Sequence, residues 1–323
     1  MKAVIQKRYG SADVLSVGEA VTPKTKKNEI LVRVYASPVT QGNRQVRAGI
    51  FPTVLWLPAR LMVGLFRPKN PIPGTVFAGR VESVGSAVTR FSVGDKVFGA
   101  NLGGAYAEFL NIPEDAAVAK MPEGMSYEEA AASPYGGTTT LIFLQKIAKV
   151  QPKERVLIIG ASGGIGRFGV QLAKHLGAEV TGVCSKRNFE LVRSLGADYV
   201  IDYKSEDFTK NGQKYDVIFD TVDSHSFTRA RKTLNKNGRY LSVEPSVNLF
   251  FWMMVTSLFG NRKAYFKMAI GAHAEMNEIR KLLENRAIWP IVGRQYPLEE
   301  IIEAHKAPDT TSPNGCVVVN ITS

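Results

Sequence analysis

The stretch that most restricts how this chain can fold is VLIIGASGGIGRFGVQLAKHLGAEVTGVCSKRN, residues 156–188. An apolar run is followed by a glycine-rich turn, a helical stretch and a second apolar run, which is the order of a strand–helix–strand unit. The positions of the G-x-G-x-x-G fingerprint fall on Ala161, Gly163 and Gly166, so alanine replaces the first glycine. This context predicts that the turn and the helix N-terminus bind the pyrophosphate of a dinucleotide. A tight turn with a purely structural role is the alternative.

The residues that follow the second strand bear on which dinucleotide is bound. An acidic residue at this place would hold the ribose 2′-hydroxyl of NAD, but the sequence there is Cys184, Ser185, Lys186 and Arg187. Ser185 can donate a hydrogen bond to a 2′-phosphate, and Lys186 or Arg187 can add a charge-assisted contact. The sequence therefore predicts NADPH as the cofactor. The alternative is that the two basic residues only begin a solvated helix.

The rest of the chain divides into two patterns. Short β-branched runs punctuated by glycine and proline fill the first third, and strands alternate with helices from residue 152 onward. Alternating strands and helices predict an α/β fold with a doubly wound parallel sheet. We predict a β-rich domain over residues 1–120, completed by residues 273–323, and a dinucleotide-binding domain over residues 121–272. In between, Ser126 and Glu129 form a capping-box pattern that opens a helical run to about residue 150.

Charge and composition restrict the partners. The net charge is +12, and residues 1–100 hold 15 Lys plus Arg against 5 Asp plus Glu. A basic lobe attracts anionic cofactors, acidic lipid or nucleic acid, or serves only as a solubilising surface. No arginine-rich run interleaved with aromatics is present, so we expect no nucleic-acid partner. The two cysteines and the lack of an apolar leader predict a reducing, cytoplasmic location.

Several motifs in this order resemble one family. GDKVFG, AAASPYGGTTT, GASGGIGRFGVQLAKHLGA, LGADYVIDY, YDVIFDTV and YPLEEIIEAH resemble the medium-chain dehydrogenases and reductases, especially their zinc-free quinone oxidoreductase and enone reductase branch. The resemblance covers nearly the whole chain. It implies a GroES-like catalytic domain beside the Rossmann domain, a cleft between them, and a homodimer.

The same resemblance allows zinc to be tested on residue types. Alcohol dehydrogenases of this superfamily have a catalytic cysteine where this chain has Thr40, and Gly-His-Glu where it has Gly74, Thr75 and Val76. A catalytic zinc needs about three N, S or O ligands, which these residues do not supply. We therefore expect no metal, and hydride transfer from NADPH to a small apolar electron acceptor, either a quinone or an α,β-unsaturated carbonyl compound.

The resemblance also implies which residues bind the cofactor. The pyrophosphate would contact Ser162, Gly163, Gly164, Ile165 and Gly166. The 2′-phosphate end would contact Ser185, Lys186 and Tyr203, and the nicotinamide half would lie near Thr139, Val222 and Val243. For Tyr203 and the two valines, packing in the sheet and core is the alternative.

In the catalytic cleft the family usually has asparagine and aspartate where this chain has Thr40 and Asn43. These two side chains would stabilise the negative charge that develops on the acceptor oxygen, without transferring a proton. The alternative is that they only satisfy the backbone of a loop.

The chain contains two long apolar segments: the first apolar segment, residues 51–68, and the second apolar segment, residues 247–266. Their large side chains would form the wall of a pocket for an apolar acceptor: Trp56, Phe66, Phe250, Phe251, Trp252, Met253 and Met254. Because the ends of both segments, RPKNP and GNRK, are basic, peripheral contact with an anionic membrane is a second interpretation, and core or dimer packing a third. A non-catalytic NADPH-binding protein that docks on a membrane or a partner is the alternative function.

Overall fold

The computed structural model describes residues 1–269, 271–307 and 315–322. The strands are β1 Lys2–Gln6, β2 Leu15–Glu19, β3 Glu29–Pro38, β4 Val76–Val84, β5 Lys96–Ala100, β6 Phe109–Pro113, β7 Val118–Lys120, β8 Arg155–Ile159, β9 Glu179–Cys184, β10 Tyr199–Asp202, β11 Tyr215–Asp220, β12 Leu234–Ser242, β13 Lys263–Tyr265, β14 Val292–Pro297 and β15 Cys316–Asn320. The α-helices are α1 Gln41–Ala48, α2 Trp56–Val63, α3 Tyr127–Ala132, α4 Pro134–Thr140, α5 Gly164–His175, α6 Phe189–Ser194, α7 Phe227–Ala230, α8 Val247–Leu258, α9 His273–Glu284 and α10 Ile301–Lys306.

The first lobe contains a seven-stranded, largely antiparallel sheet. Its order is β14-β15-β3-β4-β5-β7, and β6 also pairs with β3. Strand β15 pairs antiparallel with β3, which brings Val318 beside Pro38. The strand Cys316–Asn320 thus lies in the sheet of the N-terminal third of the chain.

The second lobe contains a six-stranded parallel sheet in the order β10-β9-β8-β11-β12-β13. From β8 the chain moves outward through β9 and β10, and then returns to continue on the other side with β11. The strand order therefore reverses between β8 and β11, and ligands of such sheets bind at the carboxyl ends of the strands at this point. The predicted doubly wound sheet is confirmed.

One hydrophobic cluster spans both lobes. A single cluster of buried side chains includes Phe98 of the first sheet, Leu141 after α4, and Val156 and Phe219 of the parallel sheet. Helix α3 packs on the first lobe, where the rings of Tyr35 and Tyr127 stack with centroids 4.4 Å apart. This continuous packing fixes the position of one lobe against the other.

The helical run predicted from Ser126 to about residue 150 is divided into three pieces. Ser126 and Glu129 form the predicted capping box at the start of α3. Pro134 begins a separate helix, since it has no N–H to continue the hydrogen bonds of α3. The Ser133 hydroxyl donates to the Glu129 carbonyl (2.9 Å) at this break. Residues Leu141–Ile147 then form a π-helix.

In the part of the chain described, no single helix is long and apolar enough to cross a bilayer. Helix α1 and the stretch Thr53–Val63 meet that requirement of length and composition only together, as a pair bent by 63°.

Candidate active site

A cleft of about 770 Å³ lies between the two lobes. The second lobe contributes loops at the carboxyl ends of β8, β11 and β12, and the first lobe contributes the chain from the end of β3 into the first apolar segment. The lining includes Thr40, Gln45, Phe51, Tyr135, Gly163, Gly164, Ile165, Arg167, Val222, Asp223, Val243, Glu244 and Val247. The cleft therefore includes the reversal point of the parallel sheet, where the fold predicts a dinucleotide.

The glycine-rich loop follows β8 and begins with a left-handed residue. Gly160 has φ +78°, a conformation that side chains disfavour. A Cβ on Gly166 would lie 2.1 Å from the Gly160 carbonyl oxygen, whereas a Cβ on Gly164 would have no neighbour within 4 Å. The left-handed residue of the turn is therefore Gly160, one position before the Ala161 that stands at the first fingerprint position. Gly166 permits close packing, and the space beside Gly164 fits a ligand that approaches the backbone.

Two side chains that the sequence analysis did not identify hold this loop. The buried Arg167 donates from Nε to the Ser162 carbonyl (2.7 Å), and burial lowers the pKa of its guanidinium. The buried Asn188 donates from Nδ2 to the hydroxyls of Ser162 (2.9 Å) and Ser185 (3.3 Å). The loop after β8 is thus tied to the loop after β9.

Ser185, Lys186 and Tyr203 lie at the same carboxyl edge, outside the cleft itself. Ser185 and Lys186 follow β9, and Tyr203 follows β10. The side chain of Lys186 is exposed, and Tyr203 is 59% exposed. The three residues are therefore accessible to a ligand that extends from the glycine-rich loop across the ends of β9 and β10.

The loop after β11 is held by a buried carboxylate. Asp220 is fully buried and accepts hydrogen bonds from the backbone N–H groups of Val222 and His225 (both 3.0 Å). Desolvation raises the pKa of Asp220. This loop places Val222 in the cleft, and Val243 after β12 lies in the cleft as well.

Each of these valines is followed by a carboxylate in the cleft. Burial, with the nearby charges of Asp220 and Glu244, raises the pKa of Asp223. Glu244 accepts a hydrogen bond from Nε2 of Gln45, which joins the two lobes across the cleft (3.4 Å). Asp223 and Glu244 lie on the loops after β11 and β12, and no motif in the sequence indicates that these carboxylates face the cleft.

Thr40 and Asn43 are buried at the start of α1 and are bonded to each other. The Thr40 hydroxyl donates to Oδ1 of Asn43 (2.6 Å) and accepts from the Asn43 backbone N–H (3.1 Å). Nδ2 of Asn43 donates to the Thr75 hydroxyl (3.1 Å). This is a capping box. Thr40 lines the cleft, while Asn43 lies behind it.

Thr139 lies in α4 and does not line the cleft. Its hydroxyl donates to the Tyr135 carbonyl one turn earlier (2.8 Å). Tyr135 and Gly136 of the same helix form that wall instead. The sequence therefore identified the helix that reaches the cleft, α4, but not the residues of that helix that line it.

The expectation that large side chains of the two apolar segments form the cleft wall was wrong. The cleft is lined by the beginnings of the segments, at residues 51–54 and at Val247. Trp56, Phe66, Phe251 and Met254 are exposed, and Trp252 packs on Phe227 with ring centroids 5.4 Å apart. Phe250 packs against Phe266, and Met253 packs against the buried core beside the parallel sheet. The segments lead away from the cleft because helix orientation decides which residues face it, and composition does not specify that orientation.

Whether the cleft could hold a metal ion depends on the donor atoms of its side chains. Among residues 1–269, 271–307 and 315–322, no group of three or more His, Cys, Asp or Glu side chains is placed to hold a metal ion. Thr40, Thr75 and Val76 supply no imidazole, thiolate or carboxylate. The donor set of these residues does not fit a zinc ion.

Both lobes match known protein families. Residues 26–123 match the alcohol dehydrogenase GroES-like domain family, and residues 195–319 match the zinc-binding dehydrogenase family. The chain is 31% identical to a chloroplast envelope quinone oxidoreductase homolog of Arabidopsis thaliana, over 91% of this chain and 90% of that protein. The quinone oxidoreductase of Coxiella burnetii has a similar structure, with TM-score 0.86, 27% identity and coverage of 100% of this chain and 99% of that one. The Escherichia coli quinone oxidoreductase complexed with NADPH gives TM-score 0.81 and 26% identity, over 99% of this chain and 100% of that one.

Proposed function

The chain belongs to the medium-chain dehydrogenase/reductase superfamily, in its quinone oxidoreductase branch, and from that premise we propose that it is a zinc-independent reductase using NADPH. Its acceptor is a quinone or an α,β-unsaturated carbonyl compound. The observation that carries the proposal is the interlobe cleft, with a glycine-rich loop on one wall and no metal-binding donor set in the described residues.

When bound, NADPH supplies a hydride to the acceptor, and a proton from solvent completes the reduction of a quinone to a hydroquinone. The residues of the cleft bind and orient the cofactor and the acceptor, and they exclude water. Because a quinone or enone delocalises the negative charge that it receives, the reaction needs no Lewis acid.

We propose that the loop from Ser162 to Gly166 holds the pyrophosphate. Three features support this assignment. The open space beside Gly164, the N-terminus of α5 and the bond from Arg167 to the loop all favour a rigid anion-binding turn. Ser185, Lys186 and Tyr203 would bind the 2′-phosphate at the exposed edge beside that turn.

The nicotinamide half would lie on Val222 and Val243, with Thr139 behind Tyr135. Thr40 and Asn43 are proposed to form the acceptor end of the cleft. An acceptor oxygen would compete with Oδ1 of Asn43 for the hydrogen bond that the Thr40 hydroxyl donates. The main role of the pair would therefore be to present a fixed polar surface to the acceptor. Asp223 and Glu244 are proposed to favour a neutral acceptor over an anionic one, since like charges repel in a partly desolvated cleft.

The test is NADPH oxidation by purified protein with a panel of quinones, enones and enals, with and without a chelator. We expect acceptor-dependent loss of NADPH absorbance that the chelator does not change. Activity only with an alcohol and NADP, abolished by chelation, would contradict the proposal. Tight NADPH binding without turnover across the panel would favour the non-catalytic alternative.

Further proposals concern assembly and location. We propose a homodimer, a cytoplasmic location and peripheral contact with membranes. The charge of residues 1–100 and the exposed apolar helices support the membrane contact. Light scattering and cell fractionation test the first two proposals.

A further inference from the structure

Both apolar segments begin in the cleft and continue on the outside of the molecule. The first segment contributes residues 51–54 to the cleft and then forms α2, and Val247 of the cleft begins α8. In α2 and the turn after it, Leu57 is 54%, Leu61 56% and Phe66 87% exposed. An apolar surface therefore extends outward from the cleft wall.

The second segment repeats this arrangement on the other lobe. Phe251 is 52%, Leu258 73% and Phe259 71% exposed. Helix α8 carries no charged side chain, most of its residues are apolar, and seven of its twelve residues are exposed. Exposed apolar surfaces of this kind mark interaction sites.

Helix α2 is fixed to the body of the first lobe. The Tyr9 hydroxyl donates to the Gly64 carbonyl (2.7 Å) at the end of the helix. The Arg60 guanidinium lies over the Tyr9 ring, 3.9 Å from its centroid. The exposed leucines are therefore presented by an anchored element.

Outside the cleft, where Asp223 and Glu244 lie, the charged residues within and beside the sequence of both segments are basic. Residues 30–81 contain seven Lys or Arg and no Asp or Glu, and residues 245–274 contain three and none. Arg67, Lys69 and Lys267 are exposed at the ends of the apolar surfaces. A two-fold contact between copies through these segments would bring Arg67, Lys69 and Lys267 close to like charges, and residues 51–70 and 245–274 contain no Asp or Glu to pair with them. An anionic bilayer supplies both the opposite charge and an apolar layer.

The lengths of the helices decide how they would meet a bilayer. Eight residues of α2 extend about 12 Å and twelve residues of α8 about 18 Å, against an apolar thickness of about 30 Å. The helices are therefore suited to lie in the interface with one side immersed.

We propose that the two apolar segments dock on an anionic lipid bilayer, so that the cleft takes a membrane-dissolved quinone directly from the lipid. The inference rests on the proposed reductase function. It deepens that function by assigning the acceptor to quinones with a long apolar tail.

The experiment uses the full chain, NADPH and two vesicle types, phosphatidylcholine with phosphatidylglycerol and phosphatidylcholine alone. Co-sedimentation measures docking. Turnover is measured with a ubiquinone that carries a long isoprenoid tail, dissolved in the vesicles, and with its tail-less analogue in water. We expect binding to the anionic vesicles only, reduced about ten-fold or more at about 1 M salt, where the Debye length is about 3 Å.

The variants are L57E with L61E, and L258E with F259E. Each pair should reduce vesicle binding and turnover of the long-tailed quinone about ten-fold, since a charge at the interface opposes immersion. Turnover of the tail-less quinone should stay within about two-fold, because none of these residues lines the cleft. The control V93E changes an equally exposed valine (64%) in the turn between β4 and β5, and should behave as wild type.

Three results would overturn the inference. One is equal binding to neutral and anionic vesicles, or none at low salt. Another is a dimer, measured by light scattering, that the leucine variants dissociate, since a second copy would then cover the surface. The third is turnover of long-tailed quinone unaffected by the variants. Failure of the proposed function is distinguishable, because it abolishes turnover of the tail-less quinone without vesicles.

Discussion

The side-chain amide of Asn188 joins two loops that the proposed cofactor site needs together. It donates to the hydroxyls of Ser162 and Ser185 and is buried. We expect N188A to lower the free energy of unfolding by about 1–2 kcal/mol, the order for lost buried hydrogen bonds. It should also raise KM for NADPH and NADH by similar factors, since it loosens the pyrophosphate loop for both. Urea unfolding and steady-state kinetics measure the two effects, with N285A as the exposed control; a change for NADPH alone would contradict this role.

Lys186 is expected to distinguish the two cofactors. Its exposed ammonium would make a charge-assisted contact with the 2′-phosphate, which NADH lacks. We expect K186A to weaken NADPH binding by about 1–3 kcal/mol and to leave NADH binding nearly unchanged. Fluorescence titration measures both affinities. K236A, near the amino end of β12, is the matched control, and equal losses for both cofactors would show that Lys186 supports structure only.

The capping box of α1 stabilises the start of this helix and is also part of the candidate site, since Thr40 lines the cleft. Asn43 bonds the Thr40 hydroxyl, the Thr40 backbone N–H (3.1 Å) and the Thr75 hydroxyl. We expect N43A to destabilise the protein by about 1–2 kcal/mol, because it removes a cap and leaves buried polar groups unpaired. Urea unfolding checks this, with T40S as the variant that retains the hydroxyl. If N43A retained full stability but lost turnover, the capping role would be secondary to a catalytic one.

The sequence predicted the helices and strands that follow from regular hydrophobic spacing. It did not predict the helix boundary at Pro134 or the side-chain positions that depend on packing. The strands β8, β9, β11 and β12 are short apolar runs between turn signals, so the doubly wound sheet could be predicted. Pro134 divides the helix after Ser126, although the apolar spacing continues through it. In the cofactor site the glycine-rich loop was predictable because glycine acts through its own backbone. Asp223, Glu244 and Tyr135 were not, because the direction in which a loop or helix side chain points into the cleft is not specified by hydrophobic spacing.

Contacts between helix α10 and the N-terminal third of the chain join two regions that are far apart in the sequence. Helix α10 packs against the first lobe, where Nδ1 of His305 accepts a hydrogen bond from the Arg47 guanidinium (3.1 Å) across 258 positions of sequence. His305 is buried and packs edge-on against Tyr106. Burial, with the positive charges of Arg47 and Arg44, lowers the pKa of His305 to about 3. The imidazole is therefore neutral in the folded protein at any pH at which the unfolded chain begins to protonate it.

This difference predicts acid sensitivity. Between pH 6.5 and about 3 the unfolded chain binds a proton at His305 that the folded protein does not, so stability falls as the pH falls. The loss is about 1.4 kcal/mol per pH unit, or roughly 2 kcal/mol on going from about pH 7.5 to about pH 5. H305N keeps an acceptor for Arg47 but cannot titrate. We expect H305N to be less stable than wild type at pH 7.5 but to lose less stability on acidification, measured by urea unfolding at both pH values. H175Q, at an exposed histidine of α5, should keep the wild-type dependence; an unchanged pH dependence in H305N would show that other groups cause the acid sensitivity.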